Sequence, residues 1–474
     1  MEIQKPRNKT VKQMVFIFVM LVLTLGIAAC GSQQKDIREV HIEADGSDES
    51  GNGSEEAPYK TVSAAAKARP GSTIIVHGGD YGPIELGPDC SGRKDSPTVI
   101  RAAQGERPLI HAEERKGITL FNVSNILIEG LETEGGTHGI EYTSTREAGD
   151  QPLGNIIIRN CKVHGVRGIH GISVYACNDL APVSNLTIEG CEIFDCECGS
   201  SESMVLNGNI DGFLISENII HDNNNIGIDM IGFEGFAKHP DEDNSENPYE
   251  VDMARNGICR DNVVYNISTR GNSAYYEDGE YDPCADGIYV DGGQNIEIYN
   301  NFIFNCDIGL EVATEHSPED NDLFKVSGIL VHDNVIAGCQ GWTGICFGGY
   351  DEDLGFTEEC VVDHNTLIDN SCQIGVQRSR KNKIYANLIV GGETGVEFSE
   401  DCREEDMVND ISGNACADIE DRESWSEEYG KVYPDRSKIT DGFRSLIDDV
   451  GSSFIPDKEK TGIYEKILYP DKKK

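Results

Sequence analysis

The chain has 474 residues and a formal net charge of −43, with 83 acidic against 40 basic side chains. Affinity for phosphate backbones rests on clustered Lys and Arg, so this balance excludes nucleic acid as a partner, and a polyanionic polysaccharide would be repelled unless metal ions or a local basic cleft intervened. Aromatic residues at 7% and 52 glycines describe a thin, turn-rich core, and the surface suits a neutral or cationic substrate.

Lys5, Arg7, Lys9 and Lys12 precede an apolar run from Met14 to Ala29, followed by Cys30. This pattern is a secretory signal, too short and wrongly flanked for a spanning helix. Its end, Ile27-Ala28-Ala29-Cys30, resembles a bacterial lipobox. The resemblance implies cleavage before Cys30, lipidation of its thiol and a mature protein held on the extracytoplasmic face of the membrane by acyl chains. Losing residues 1–29 removes four basic residues and Glu2, which brings the charge to −46. Residues 30–56 are small, polar and acidic and read as a linker, with ordered structure expected from about Pro58.

Thr61 to Ala68 is Ala-rich behind a capping Thr or Ser and predicts a short helix that covers the open end of a stack; Ser72–Val76 predicts a strand. The stretch from Ala57 to Tyr81 resembles the opening segment of extracellular pectate-lyase-like β-helix proteins, which implies a fold and no chemistry.

Downstream, one phrase returns: an apolar triplet, one or two polar residues, an Asn, two apolar residues, then Gly-Ile. Its marker position recurs at 131, 161, 191, 218, 262, 301, 334, 365 and 387. Intervals of 22 to 44 residues carrying short alternating strands are turns of a solenoid, each unable to bury its apolar face alone. The expected fold is all-β, a single-stranded right-handed parallel β-helix over residues 57–400 with a short N-terminal capping helix. Asn at 218, 262, 301, 334, 365 and 387 falls in register, as an amide ladder with a repeat of about 4.8 Å requires. Sixteen cysteines lack the dense spacing of a stapled scaffold, so stacked free thiols and bridges both remain open. Residues 401–474 read as an acidic segment closing the solenoid.

Four interruptions, 232–252, 268–285, 313–326 and 349–358, fall in consecutive turns and would wall a cleft on one face. They carry Phe233, Phe236, Tyr275, Tyr276, Tyr281, Tyr350 and Phe356, rings able to stack on sugars or to cap apolar edges. Between them run Gly227-Ile228-Asp229, Gly287-Ile288-Tyr289-Val290-Asp291 and Gly309-Leu310-Glu311. Strand alternation sends the aliphatic residues inward and Asp229, Tyr289, Asp291 and Glu311 outward. Asp291 and Glu311 then lie on a diagonal with Cα atoms roughly 8 Å apart. Glycoside hydrolysis needs two carboxyl groups about 5–5.5 Å apart for retention or about 6.5–9.5 Å for inversion, and either is within reach.

The motif Gly287–Asp291, followed by Asp307-Ile308-Gly309-Leu310-Glu311-Val312 and His316, resembles the paired motif of the β-helical β-xylosidases of glycoside hydrolase family 120. The resemblance implies Asp291 as nucleophile and Glu311 as acid/base, a retaining mechanism and a carbohydrate partner. Asp229, Tyr289, Glu234, Glu315, His316 and Tyr350 are the expected substrate contacts. No cofactor and no metal are expected for this chemistry. A weaker resemblance to the calcium-dependent polysaccharide lyases of family 9 implies calcium and a cationic base. Against it, Asn224-Asn225-Ile226-Gly227-Ile228-Asp229 supplies one acid where a calcium cluster is expected, and Lys238 and Lys325 are the only lysines from 205 to 345. A non-catalytic carbohydrate-binding solenoid ranks third. The motifs name neither the sugar and its linkage nor an oligomeric state.

Overall fold

Strand pairing runs in sequence order through three long parallel sheets of 14, 11 and 13 strands, with each turn of the chain adding a strand to the stack. This is a parallel β-helix. The computed structural model describes residues 39–241, 247–277, 279–318, 320–349, 354–399 and 407–469. The signal segment and Cys30 lie outside the described residues, and no described helix is long and apolar enough to cross a membrane.

The core is a continuous column of Ile, Val and Leu, one layer per turn. At the bend before the 13-stranded sheet stands the Asn ladder. The side-chain amide of Asn218 donates to Asn262 Oδ1 at 3.0 Å, and the pattern repeats from Asn262 to Asn301, Asn334, Asn365, Asn387 and Asn414 at 2.9–3.0 Å. Each oxygen between Asn262 and Asn414 also accepts the backbone N–H of the previous ladder Asn, so these buried amides satisfy one another. The residue ahead of each ladder Asn turns through the left-handed region, and Ala386 does so at φ 55°.

The expected helix is Val62–Ala68, with Thr61 Oγ1 accepting the Ala64 N–H. Two boundaries differ from the expected ones. The segment expected as an acidic linker carries the first strand, Glu39–Ile42, paired with Thr73–Val76 and burying Val40 and Ile42. Its acids order the chain: Asp48 accepts the N–H groups of Lys60 and Thr61 and the Thr61 hydroxyl. At the other end the solenoid passes residue 400, since Asp410–Ser412, Asn414–Ala417 and Gly430–Val432 join the stack. The remainder folds back along the 13-stranded sheet, where helix Lys458–Leu468 sets Tyr464 against Phe302 and Phe304. All 14 described cysteines are free thiols, most of them buried.

Candidate functional site

The site is built on the outer face of the 11-stranded sheet. In register, Asp229 stands beside Tyr289 and Tyr289 beside Glu311, while Asp291 is opposite Ala313. Glu311 is therefore one strand spacing, about 4.8 Å, from Tyr289 and on a diagonal to Asp291. The recurring Gly ahead of these strands has a steric cause. A Cβ on Gly287 would come within 2.7 Å of the Gly309 carbonyl oxygen, and one on Gly309 within 2.4 Å of that of Gly344. Loops roof the face, so Asp229, Tyr289, Asp291 and Glu311 are buried at 2%, 6%, 5% and 8% exposure. Segments 232–252, 313–326 and 349–358 leave the strands at one edge of this sheet and 268–285 enters at the other, so the walls stand on both sides.

Asp286, at the head of its strand, is the residue whose carboxyl group hydrogen-bonds to Glu311. Burial is the main cause that raises both groups, Glu311 to about 7 and Asp286 well above the usual carboxylate range. Two buried carboxylates in contact resist ionising together, so the pair retains a proton at neutral pH. With Tyr289, Glu315, Tyr275 and Trp342 they line a cavity of about 410 Å³. Tyr275 arrives from the 268–285 wall and its hydroxyl is held by the Asn225 amide at 3.0 Å. Burial also raises Asp229, with Glu202 and Asp291 adding to the effect, and neither Asp229 Oδ1 nor Asp286 Oδ1 has a hydrogen-bond partner.

Asp291 sits at the far end of the diagonal. Its Oδ1 accepts the N–H of Glu315 at 3.2 Å. Burial and the charge of Glu315 raise its carboxyl group, while His316 and that N–H act in the opposite sense. His316 Nε2 lies 3.2 Å from Glu234 Oε1. Burial opposes protonation of His316, but the Glu234 hydrogen bond and the charges of Asp291 and Glu315 outweigh it and hold the imidazole above its ordinary pKa. The two roof loops are braced on each other. Phe233, Met253 and Phe324 form a small apolar cluster with Tyr249 against it, and the side chains of Asn247 and Asn321 exchange hydrogen bonds of 2.7 and 2.9 Å.

Of the residues expected at the site, Asp229, Tyr289, Asp291 and Glu311 share this face, and Glu234, Glu315 and His316 stand in the loops beside it. Tyr350 lies outside the described residues. Two acids were missed by sequence reasoning. Asp286 has the parity of the inward-facing Ile288 and Val290, yet it lines the cavity from the first position of its strand. Glu202 precedes Met204 on the neighbouring turn, where burial raises it to about 7. The larger cavity, about 650 Å³, borders the 13-stranded sheet, and its acids are engaged: Asp195 with Arg167, Asp222 with His221, Asp307 with Ser268 and Thr269. Arg255 is held by Asn209, Arg260 by Asp261 and Arg270 by Tyr281, and no Lys or Arg lines the acidic cavity.

Residues 245–426 match the model of the NosD family, described as a periplasmic copper-binding protein. The "uncharacterized protein YwoF" of Bacillus subtilis (strain 168) is 31% identical over 389 residues, which is 77% of each chain. The chain belongs to the YwoF family. Among solved structures, a family 136 lacto-N-biosidase from Eubacterium ramulus is similar with a TM-score of 0.55 and 14% identity, covering 86% of this chain and 71% of that one. A structure titled glycoside hydrolase has a TM-score of 0.50 at 10% identity, covering 76% and 94%. At these identities the likeness is one of fold. Copper favours thiolate, thioether and imidazole donors. In this YwoF-family chain the thiols of residues 245–426 other than Cys284 and the undescribed Cys402 are buried in the solenoid, and among the described residues no group of three or more His, Cys, Asp or Glu is arranged to hold a metal. The described residues do not form a copper site of the kind the NosD description implies.

Proposed function

We propose that this protein is an extracytoplasmic, lipid-anchored glycoside hydrolase acting on neutral oligo- or polysaccharide. The observation that carries the reading is the proton-retaining Asp286–Glu311 pair, set on a diagonal to Asp291 beside a cavity without cationic side chains. Glu311 is the general acid/base, since a carboxyl group raised to about 7 still carries its proton when the leaving oxygen needs it. Asp291 is the nucleophile: burial and the charge of Glu315 hold its carboxyl group well above the usual range, and the Glu315 N–H and a protonated His316 act against them to favour the ionised form in which it attacks. Attack of its carboxylate on the anomeric carbon breaks the glycosidic bond as Glu311 protonates the leaving oxygen. Water, deprotonated by Glu311, then releases the sugar with net retention. Tyr289, on the strand of Asp291 and beside Glu311, and Asp229, on the preceding strand, are placed to hold the sugar.

Anchoring at Cys30 after removal of residues 1–29 rests on the lipobox pattern, and the periplasmic description of the NosD family agrees with export. Incubation of the purified protein with neutral and uronic oligosaccharides tests the reading. New reducing ends from neutral oligomers are expected. Absorbance of an unsaturated uronate, abolished by chelator, would transfer the chain to the lyases, and binding without turnover would make it a carbohydrate-binding module.

A further inference from the structure

Towards the N-terminus, the same sheet face carries a second polar group that the hydrolytic site does not use. His170 Nδ1 lies 3.0 Å from the Glu202 carbonyl oxygen and its Nε2 lies 2.5 Å from Tyr175 Oη. A carbonyl only accepts, so Nδ1 carries the proton and Nε2 accepts from the Tyr175 hydroxyl. The phenol oxygen keeps its lone pairs for an incoming O–H. Burial lowers His170 to about 4 and keeps the imidazole neutral. The nearby carboxylate of Glu141 is neutralised by Lys116 Nζ at 2.5 and 2.6 Å. Phe236, from the roof loop, stacks obliquely on Tyr175 with ring centroids 4.9 Å apart, yet it remains 43% exposed.

Between this patch and the acids lies a row of unpartnered acceptors. Asn207 stands in register beside Tyr175, is 4% exposed, and its Oδ1 has no partner; Asp229 Oδ1 on the next strand has none either. Tyr175, Asn207, Asp229 and Asp291 lie on four successive strands of the sheet, so the strand of Tyr175 is three spacings, about 14 Å, from that of Asp291. We propose that Tyr175, His170 and Phe236 form a further subsite for an uncharged sugar ring, so that the substrate is an oligosaccharide lying along the solenoid axis. Phe236 offers a ring face, Tyr175 Oη accepts a sugar hydroxyl, and Asn207 accepts from the unit that follows. The subsite rests on the carbohydrate reading above and names the length and charge of the ligand.

The test uses the full chain, with Phe236→Ala and Tyr175→Phe and with thermal melting as a check on folding. Binding of xylo-, cello- and lacto-oligosaccharides from disaccharide to hexasaccharide is measured by calorimetry, and turnover is measured on aryl glycosides. The parent is expected to bind hexasaccharide more tightly than disaccharide. Each variant is expected to lose about threefold to tenfold of the hexasaccharide affinity, with disaccharide binding and aryl-glycoside kcat unchanged. An affinity that does not grow with length, or a length dependence untouched in both variants, overturns the subsite and leaves the hydrolase standing. Binding that depends on length and on Phe236 without any turnover overturns the hydrolase and leaves the subsite. A parent that neither binds nor cleaves overturns both.

Discussion

Two rows of buried polar side chains run along this solenoid, and they are finished in opposite ways. The Asn ladder from Asn218 to Asn414 is built of neutral amides whose donors and acceptors meet each other and the backbone at every step. The acidic row of Glu202, Asp229, Asp286, Asp291 and Glu311 is also enclosed, but like charges in and beside it raise the pKa of its members and two of its oxygens are unpartnered. Satisfied burial stabilises and specifies a fold, whereas burial of like-charged groups costs stability that only function repays. The ladder is architecture, and the acidic row is the candidate site.

The largest expected effect separates the two rows by activity. Glu311→Gln and Asp291→Asn each keep the side-chain shape, and a loss of about 10²-fold or more in kcat/KM is expected from either, measured on aryl glycosides. The two should differ in kind. Glu311→Gln is spared on good leaving groups and rescued by azide, whereas Asp291→Asn stalls before a covalent intermediate forms. Full activity in both variants would strip the acidic row of its role. Next comes the ladder itself. Asn334→Ala takes the acceptor from the Asn301 backbone N–H, one of two acceptors from the Asn301 side-chain amide and one of two donors from the Asn365 oxygen, and a loss of about 1–3 kcal/mol is expected in denaturant unfolding. A variant that unfolds with the parent would show that the ladder adds nothing.

The contrast also has a pH signature. Glu311 titrates at 4.5 ordinarily and at about 7 in the folded chain, so between these values the folded state binds more protons than the unfolded state. Its contribution is complete below about pH 4.5 and is lost as pH rises through about 7. Glu202, raised likewise, acts in the same sense. The melting temperature of the parent should therefore fall across this window, and Glu311→Gln should flatten the fall and melt higher than the parent above it. Equal slopes for the two proteins would contradict the raised carboxyl group. The smallest effect belongs to the bend. Ala386 holds a left-handed φ of 55° where Gly413 stands one turn later, and Ala386→Gly should stabilise by about 1 kcal/mol, read by thermal melting. No gain would mean that the turn carries little strain.

The repeat was legible because its determinants are local: period-two aliphatic residues, an Asn at the bend and a Gly where the next turn approaches. The acids at 229, 291 and 311 were legible through the same parity. Asp286 was not, because parity assigns it to the core and its place in the cavity wall is a tertiary fact. The first strand was hidden by its acidic surroundings, although Val40-His41-Ile42 alternates as a strand should. Asn414 was hidden behind the acidic run at 401–406 and the small residues Ala415 and Ala417 that follow it. The pairing of roof loops through Asn247 and Asn321, 74 residues apart, leaves no local trace.

The helix Lys458–Leu468 lies across strands laid down far earlier in the chain, and Tyr464 completes the enclosure of Phe302 and Phe304. A chain emerging from its N-terminus can therefore stack its turns one after another, yet that flank stays open until helix Lys458–Leu468 is delivered. Loss of this helix would spare the rungs already formed and expose a sticky aromatic strip, so it acts as a late fastening of a structure otherwise assembled in order.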